Sequence, residues 1–398
     1  MATPNSTEQP APQQPAYTPR YIDIGINLAD PIFRGRYHGK SHHPDDLAAV
    51  VGRAKEVGCT KLIVTGSSFK SSRDALNLAA EFPGTVYTTA GIHPCSSSIF
   101  SKSHHKHHDE SQSEGEDEHT PACDPDPTKP IRDGEGVDPK RSETIIRDLK
   151  AFISNASSGL VAFGEFGLDY DRLHYCSKKV QLHSFQVQLE LAASLKPQLP
   201  LFLHSRAAHE DFVRLLKGAF GDKLERLEKG GVVHSFTGTI DEMRELMDLG
   251  LYIGVNGCSF KTADNCATVK EIDLSRLMLE TDGPWCEVRP SHEGYKYLLP
   301  PKPEVDDGAA NGEVKEQHQQ KKQQQPKKKN QPQKPEVPER FKTVKKEKWE
   351  EGAMVKGRNE PCTIERIAKI VAGIKGVTVE AVCEAAWENT VKVFGLDL

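Results

Sequence analysis

Four apolar segments of the sequence are followed by residues that can bind metal ions or transfer protons. The segments are 160–163, 201–203, 231–233 and 277–279, and the residues that follow them are Glu165, His204, His234 and Asp282. Short apolar runs of this kind are typical of buried strands. A single carboxylate after a strand is usually solvated, because charged side chains stay in water unless they are paired or bound to metal. Four ionisable residues at the same relative place indicate a shared site.

Two imidazoles and two carboxylates form a mixed nitrogen and oxygen ligand set. Such a set suits Zn²⁺, Mn²⁺ or Fe²⁺, and it suits Mg²⁺ where carboxylates and substrate oxygens dominate. Glu165 could bridge two ions, the arrangement that clamps a phosphodiester during hydrolysis. Asp282 could bind one ion and accept a proton from the attacking water. Arg206 follows His204 by two residues and is expected to hold a phosphate, the alternative being an ion pair at the rim.

The elements that must position these residues alternate between strand and helix patterns. Strands are predicted at 21–28, 61–66, 86–93, 160–165, 200–205, 231–236, 251–256 and 276–282. Helical spacing of apolar residues occupies the segments between them, and two more helices are predicted at 363–373 and 379–394. Eight such units predict an α/β fold of the closed (β/α)8 TIM-barrel type rather than an open doubly wound sheet. Because the active sites of that fold lie at the C-terminal ends of the strands, the four residues should converge.

Three segments lack this alternation. Residues 1–20 are predicted to be a disordered leader, and residues 97–140 and 302–345 are predicted to be low-complexity insertions into one domain spanning 21–398. The first insertion is rich in histidine and acidic residues, for which metal buffering is the alternative to a disordered loop. The second is rich in lysine and glutamine, so it is either a solvated linker or a segment that attracts nucleic acid or directs nuclear import.

Composition places limits on the class of protein. The chain has 398 residues, of which 36% are hydrophobic, and its net charge of −5 says little about partners. Its nine cysteines include no Cys-x-x-Cys pair, a pattern that fits reduced intracellular thiols rather than a disulfide framework. Neither a signal peptide nor a membrane-spanning run is recognisable. We therefore expect a cytoplasmic or nuclear protein that is not secreted.

Six motifs together resemble one known family. They are Asp23-Ile24-Gly25-Ile26-Asn27-Leu28, Gly91-Ile92-His93-Pro94, Gly164-Glu165-Phe166-Gly167-Leu168-Asp169, Leu203-His204-Ser205-Arg206, His234-Ser235-Phe236-Thr237-Gly238 and Glu280-Thr281-Asp282-Gly283-Pro284. The chain resembles the TatD family of metal-dependent deoxyribonucleases, among the amidohydrolase-like barrels. The resemblance implies divalent metal ions and DNA hydrolysis, commonly as a 3′-to-5′ exonuclease on single strands. It also implies that Glu165 bridges two ions, that His204 and His234 bind one of them, and that Asp282 binds the other.

The sequence departs from the family pattern in its first motif. Many members carry histidine ligands where this chain has Gly25 and Asn27, a loss that the eukaryotic branch shares. Glycine has no ligand atom, and Asn27 offers only a neutral oxygen, so we group Asn27 with the substrate-binding residues. The first ion must then rely on Glu165, Asp282, water and substrate phosphate. This favours Mg²⁺ over a tight zinc site, with Mn²⁺ and Zn²⁺ as alternatives.

Two further residues are candidates for contact with substrate. His93 is expected either to contact a phosphate or assist proton transfer, or simply to shape its turn. Trp285 could stack on a base, or it could pack beneath its loop.

The sequence thus predicts a metal-dependent deoxyribonuclease with two divalent ions and single-stranded DNA as substrate. One alternative is a metallohydrolase of another ester or amide, such as an aminoacyl-tRNA deacylase. The other is a barrel that has lost its chemistry and binds nucleic acid.

Overall fold

The computed structural model describes residues 17–102, 128–156, 159–300 and 337–396. Most of the predicted leader and the central parts of both predicted insertions, 103–127 and 301–336, lie outside the described residues. The described ends of the insertions are folded. A 3-10 helix, Pro94–Phe100, enters the first, and helix α3 begins at Pro139. Because Phe100 and Ser101 are buried, the first insertion starts later than its composition suggested.

Eight strands of the described chain form one parallel sheet in sequence order. They are β1 (Tyr21–Ile26), β2 (Cys59–Val64), β3 (Val86–Ala90), β4 (Leu160–Asp169), β5 (Leu201–Arg206), β6 (Gly231–Val233), β7 (Tyr252–Val255) and β8 (Leu277–Leu279). Backbone hydrogen bonds bring the last strand back to the first, from Asp282 N–H to Gly25 O and from Asn27 N–H to Gly283 O, both at 2.8 Å. The predicted TIM-type barrel is confirmed.

Helices cover the outside of the barrel. They are α1 (Leu47–Glu56), α2 (Phe69–Glu81), α3 (Pro139–Asn155), α4 (Lys178–Ser194), α5 (His209–Phe220), α6 (Ile240–Asp248), α7 (Ala263–Glu271), α8 (Ile364–Lys375) and α9 (Val379–Phe394). Their buried faces and the outward strand residues form the larger hydrophobic core. Within 17–300 and 337–396, apart from the gaps, no helix is long and apolar enough to cross a membrane.

A second core fills the barrel interior. Ile24, Phe202 and Met278 from three strands belong to one buried cluster, which Trp387 and Phe394 of α9 join. The Asn389 side chain donates hydrogen bonds to Leu277 O (2.8 Å) and Leu274 O (2.7 Å), at the start of β8. Helix α9 therefore closes the N-terminal end of the barrel, and the opposite end is left for the polar residues.

Strand β4 differs from its prediction. It was expected to end at Glu165, but it continues to Asp169, with a shift in its pairing to β5 between Gly164 and Phe166. The Glu165 N–H leaves the ladder and donates instead to Gly66 O at 2.8 Å. Glu165 thus lies at a bulge within the longest strand, and the apolar run alone could not show where that strand stopped.

Candidate active site

Two glycines allow the bulge that presents Glu165. Gly164 and Gly167 have φ of +150° and +153°, values that side chains with a Cβ rarely adopt. A Cβ at Gly164 would lie 2.1 Å from Phe202 O, and one at Gly167 would lie 1.8 Å from His204 O. Strand β5 therefore approaches β4 as closely as it does because both positions lack a side chain.

One oxygen of Glu165 is the centre of a cluster of imidazoles. Glu165 Oε1 lies 2.6 Å from His234 Nε2, 3.0 Å from His204 Nδ1 and 3.3 Å from His93 Nε2. His204 Nδ1 and His234 Nε2 are themselves 3.4 Å apart. All four side chains are buried and line one cavity of about 40 Å³, which is large enough for about one water molecule or ion.

Two further carboxylates contact the ring nitrogens of His204 and His234 that do not face Glu165. His204 Nε2 lies 3.1 Å from Asp169 Oδ2, and the same oxygen is paired with Arg172 Nη1. His234 Nδ1 lies 3.2 Å from Glu280 Oε2. When a carboxylate accepts the proton of one ring nitrogen, the other nitrogen is left with its lone pair facing the site. His204 Nδ1 and His234 Nε2 are therefore prepared as metal ligands.

The buried charges of this cluster hold protons unequally. Burial opposes the ionisation of Glu165, but the three imidazoles outweigh it and keep the pKa of this carboxyl well below its usual range. Burial also opposes a charge on His234, but Glu165 and Glu280 on its two sides raise its pKa well above the usual value. Without a cation, a proton on His234 offsets part of the negative charge of Glu165 and Glu280.

His93 differs from the other two histidines because its protonated nitrogen faces Glu165. Its Nδ1 accepts a hydrogen bond from the Cys95 N–H at 3.1 Å, which assigns the ring proton to Nε2 when the imidazole is neutral. Burial lowers the pKa of His93, so the neutral form is favoured. Its Nε2–H then faces Glu165 as a donor rather than as a metal ligand.

Asp282, which follows β8, also lines this cavity. Burial, followed by the neighbouring Glu280 and Glu165 charges, raises the pKa of Asp282 to about 7 despite the opposing effect of His234. Asn27 Nδ2 donates to Asp282 Oδ1 at 3.0 Å, and the Cys286 thiol lies 3.2 Å from Oδ2. Asp282 is therefore poised between its two protonation states near neutral pH.

The structure shows the surroundings of Gly25 and Asn27, the two positions where the family resemblance leads us to expect histidines. A Cβ at Gly25 would lie 2.4 Å from Glu280 Oε2, so the glutamate side chain occupies that space. Asn27 Oδ1 accepts a hydrogen bond from the Thr65 hydroxyl at 2.6 Å, while its amide group donates to Asp282. Asn27 is thus placed to orient Asp282, whereas the sequence grouped it with the substrate-binding residues.

Two donors on the cavity wall have no hydrogen-bond partner among the described residues. They are Arg206 Nε and Trp285 Nε1, both buried. Arg206 Nη2 makes only a long contact, 3.5 Å, to Ser235 O. Buried donors normally have partners, so these two indicate that an acceptor-rich group completes the site.

The structure brings all eight predicted site residues to this one cavity: Asn27, His93, Glu165, His204, Arg206, His234, Asp282 and Trp285. Their donor set fits a divalent cation, because two lone-pair nitrogens and the Glu165 oxygen converge within 3.4 Å of one another. Asp169 and Glu280 also belong to the site, although no role was predicted for either. Both lie inside quoted motifs, and a second acidic residue close to a ligand could have suggested an orienting partner.

Comparison with known proteins agrees with this geometry. Residues 22–395 match the family described as "TatD related DNase". A "Deoxyribonuclease Tat-D" of Schizosaccharomyces pombe is 40% identical over 376 residues, covering 94% of this chain and 95% of the relative. A "3'-5' ssDNA/RNA exonuclease TatD" of Edwardsiella piscicida is 33% identical over 267 residues, covering 66% and 79%. The crystal structure of an uncharacterized amidohydrolase from Saccharomyces cerevisiae superposes with a TM-score of 0.71 at 31% identity, covering 94% of this chain and 100% of that one. The chain belongs to the family of TatD-related deoxyribonucleases.

Proposed function

We propose that the chain is a metal-dependent deoxyribonuclease that hydrolyses phosphodiester bonds, acting from the 3′ end of single-stranded DNA. One observation carries the proposal: a single Glu165 oxygen contacts three imidazole nitrogens, and two of these imidazoles have buried carboxylates of their own. The similarity to a relative named as a single-strand exonuclease supports the preferred substrate and direction.

Four residues would hold the divalent ions: Glu165, His204, His234 and Asp282. Two ions are proposed, and Mg²⁺ is favoured because Gly25 and Asn27 supply no strong ligand. When bound, such ions lower the pKa of a water molecule and stabilise negative charge on a phosphate. Proton transfer and the binding of the substrate are assigned to side chains of the protein.

The proton from the attacking water is assigned to Asp282. Its carboxylate lines the same cavity as Glu165, where it can accept a proton from a water molecule. Asn27 holds its Oδ1 oxygen through a 3.0 Å hydrogen bond, which fixes the direction of the carboxylate.

The substrate phosphate is assigned to Arg206 and His93, and the terminal nucleotide is assigned to Trp285. Arg206 supplies a guanidinium, which forms charge-assisted hydrogen bonds with phosphate oxygens. His93 Nε2–H is held in its donor tautomer by the Cys95 N–H and faces the same cavity. Trp285 offers a ring for stacking and an indole N–H for an acceptor on the terminal nucleotide.

The test uses the purified chain with Mg²⁺ and a short oligonucleotide labelled at one end. With a 5′ label we expect a ladder that shortens progressively, and with a 3′ label we expect immediate release of the labelled nucleotide. Glu165→Gln and added chelator should both stop the reaction. If the chain binds the oligonucleotide without cutting it, it is a binding barrel. If it cleaves an ester such as aminoacyl-tRNA instead, it is another metallohydrolase.

The cytoplasmic or nuclear location stays a prediction, which imaging of a tagged full-length chain tests.

A further inference from the structure

Two cysteine thiols meet beside the proposed site and have no role in the proposed reaction. Cys258 follows β7 and Cys286 follows β8, and their sulfur atoms are 2.9 Å apart. Both are reduced and buried, with 2% and 8% of their surfaces exposed. We infer that this pair is a redox site, which a hydroperoxide converts to an intramolecular disulfide.

The backbone holds the two thiols together. The Cys258 N–H donates to Asn256 Oδ1 at 2.8 Å, within the 3-10 turn that follows β7. A Cβ at Gly257 would lie 1.8 Å from Cys286 O, so the two loops touch through their main chains at this glycine. The sulfur contact is therefore a consequence of loop packing, and a shift of less than about 1 Å brings the sulfurs to the bonding distance of about 2.05 Å.

A small oxidant can reach the pair from one side. Cys258 lines a cavity of about 770 Å³ between the loops that follow β5, β6 and β7. Arg206 lines both this cavity and the smaller one that contains Glu165. The pair therefore lies beside a cavity that shares Arg206 with the proposed active site.

The chemistry balances with hydrogen peroxide as the oxidant. The Cys258 sulfur attacks one peroxide oxygen, the O–O bond breaks, and a sulfenic acid and one water molecule form. The Cys286 sulfur then attacks the sulfenic sulfur, the S–O bond breaks, and the hydroxyl leaves with the thiol proton as a second water molecule. Two electrons pass from the thiols to the peroxide, and a dithiol reductant reverses the change.

The disulfide acts on Asp282 because Cys286 is its neighbour. The Cys286 sulfur lies 3.2 Å from Asp282 Oδ2, and four positions separate the two residues in the turn after β8. Oxidation removes the thiol hydrogen and pulls Cys286 toward Cys258. The following consequence rests on the proposed function. Because Asp282 is assigned as a metal ligand and as the base, oxidation of the pair should lower the nuclease activity.

The primary experiment measures the bond itself. The full chain is treated with hydrogen peroxide, remaining thiols are blocked, and tryptic peptides are analysed by mass spectrometry without reduction. Peptides 245–261 and 277–296 each contain one of the two cysteines. We expect them to appear as one cross-linked species, and we expect a dithiol reductant to separate them.

Cys266 supplies a matched control. It is buried to the same extent as Cys286, with 8% of its surface exposed, and its sulfur lies 3.9 Å from Phe260 O. Cys266→Ser should keep the cross-link, whereas Cys258→Ser and Cys286→Ser should abolish it. The nuclease rate of the parent and of Cys266→Ser should fall at least about tenfold on oxidation and recover with reductant, while that of Cys258→Ser should not change.

Several outcomes overturn the inference. Both thiols could remain fully alkylatable after oxidation, or the cross-link could involve other cysteines. Zinc that co-purifies and is released by a mercurial reagent in the parent, but not in Cys258→Ser, would make the pair a metal site instead. If the reduced chain cleaves no DNA, the proposed function fails, but the presence or absence of the cross-link still decides whether the pair is a redox site.

Discussion

Two buried charged clusters in this barrel are built in opposite ways. The first, here called the clamp, consists of Asp46, Arg53, Arg358 and Glu360. Arg358 binds both oxygens of Asp46 at 2.9 and 2.6 Å, and Arg53 binds both oxygens of Glu360 at 2.8 and 3.1 Å. Two permanent positive charges thus meet two carboxylates. The clamp joins α1 to the segment before α8.

The active-site cluster also neutralises buried carboxylates, but it uses imidazoles. Glu165 and Glu280 both bond to His234, whose proton can leave when a cation arrives. The clamp has no such freedom, because a guanidinium stays charged at any working pH. The difference teaches that burial of charge does not by itself mark a site. A functional site is indicated where buried groups can gain or lose a proton beside a cavity that can hold a ligand.

The largest expected effect comes from removing the charge of Glu165. Glu165→Gln should lower kcat/KM for single-stranded DNA by about 10³-fold or more, because ion-based stabilisation is worth several kcal/mol. The free energy of unfolding of the metal-free variant should stay within about 1 kcal/mol of the parent, since the proton on His234 is no longer needed. Steady-state kinetics and urea unfolding measure the two quantities. A variant as active as the parent would end the metal assignment.

The same type of change in the clamp should have the reverse outcome. Arg53→Met leaves Glu360 with less positive charge in a buried place, so the free energy of unfolding should fall by about 3–5 kcal/mol. The folded fraction should keep the parent kcat/KM within about threefold.

Surface Arg244→Met is the control for Arg53→Met, because Arg244 is half-exposed and pairs with Glu271 at 3.2 Å on the surface. Its cost should stay below about 1 kcal/mol. A large loss of activity in the folded Arg53→Met variant would contradict the view that the clamp contributes to stability and not to catalysis.

Substitution of a carboxylate that orients a histidine ligand should have an intermediate effect on metal binding. Asp169→Asn should weaken divalent metal binding about 10–100-fold, because His204 loses the carboxylate that accepts its Nε2 proton. Isothermal titration with Mn²⁺ measures this affinity. Asp171→Asn, an exposed carboxylate two residues away, should bind metal like the parent. Equal affinities for all three proteins would remove Asp169 from the site.

Metal binding should also depend on pH. The pKa of Asp282 is raised to about 7 and that of His234 lies well above its usual value, so both groups hold protons at pH 6 that a cation must displace. Metal affinity should therefore rise with pH, by about tenfold per unit for each proton released. Titration calorimetry in buffers of different ionisation enthalpy counts these protons. The Asp282→Asn variant should release about one proton fewer than the parent when it binds the cation.

Much of this site follows from the sequence because barrel topology brings strand ends together. Apolar runs locate the strands, and the residues after them, such as His234 and Asp282, share one mouth whatever their separation in the chain. The confirmed fold rests on that regularity. The assigned roles of the individual residues stay predictions.

Other features could not be predicted because they depend on distances between strands. The bulge at Glu165 arises where β4 and β5 approach across Gly164 and Gly167, which no periodicity in one strand reveals. The orienting roles of Asp169 and Glu280 depend on which imidazole nitrogen each one faces. The clamp joins residues more than 300 positions apart, as in the bond from Arg53 to Glu360.

The close approach of Glu280 to Gly25 also limits how this chain can change. Because a Cβ at position 25 would lie 2.4 Å from Glu280 Oε2, no single substitution can restore a ligand there without displacing the carboxylate that holds His234. A ligand side chain at position 25 would therefore also require a change at Glu280, and a change at either position alone would disturb the contact between Glu280 and His234. A single mutation is therefore poorly suited to adding a metal ligand at position 25 of this site.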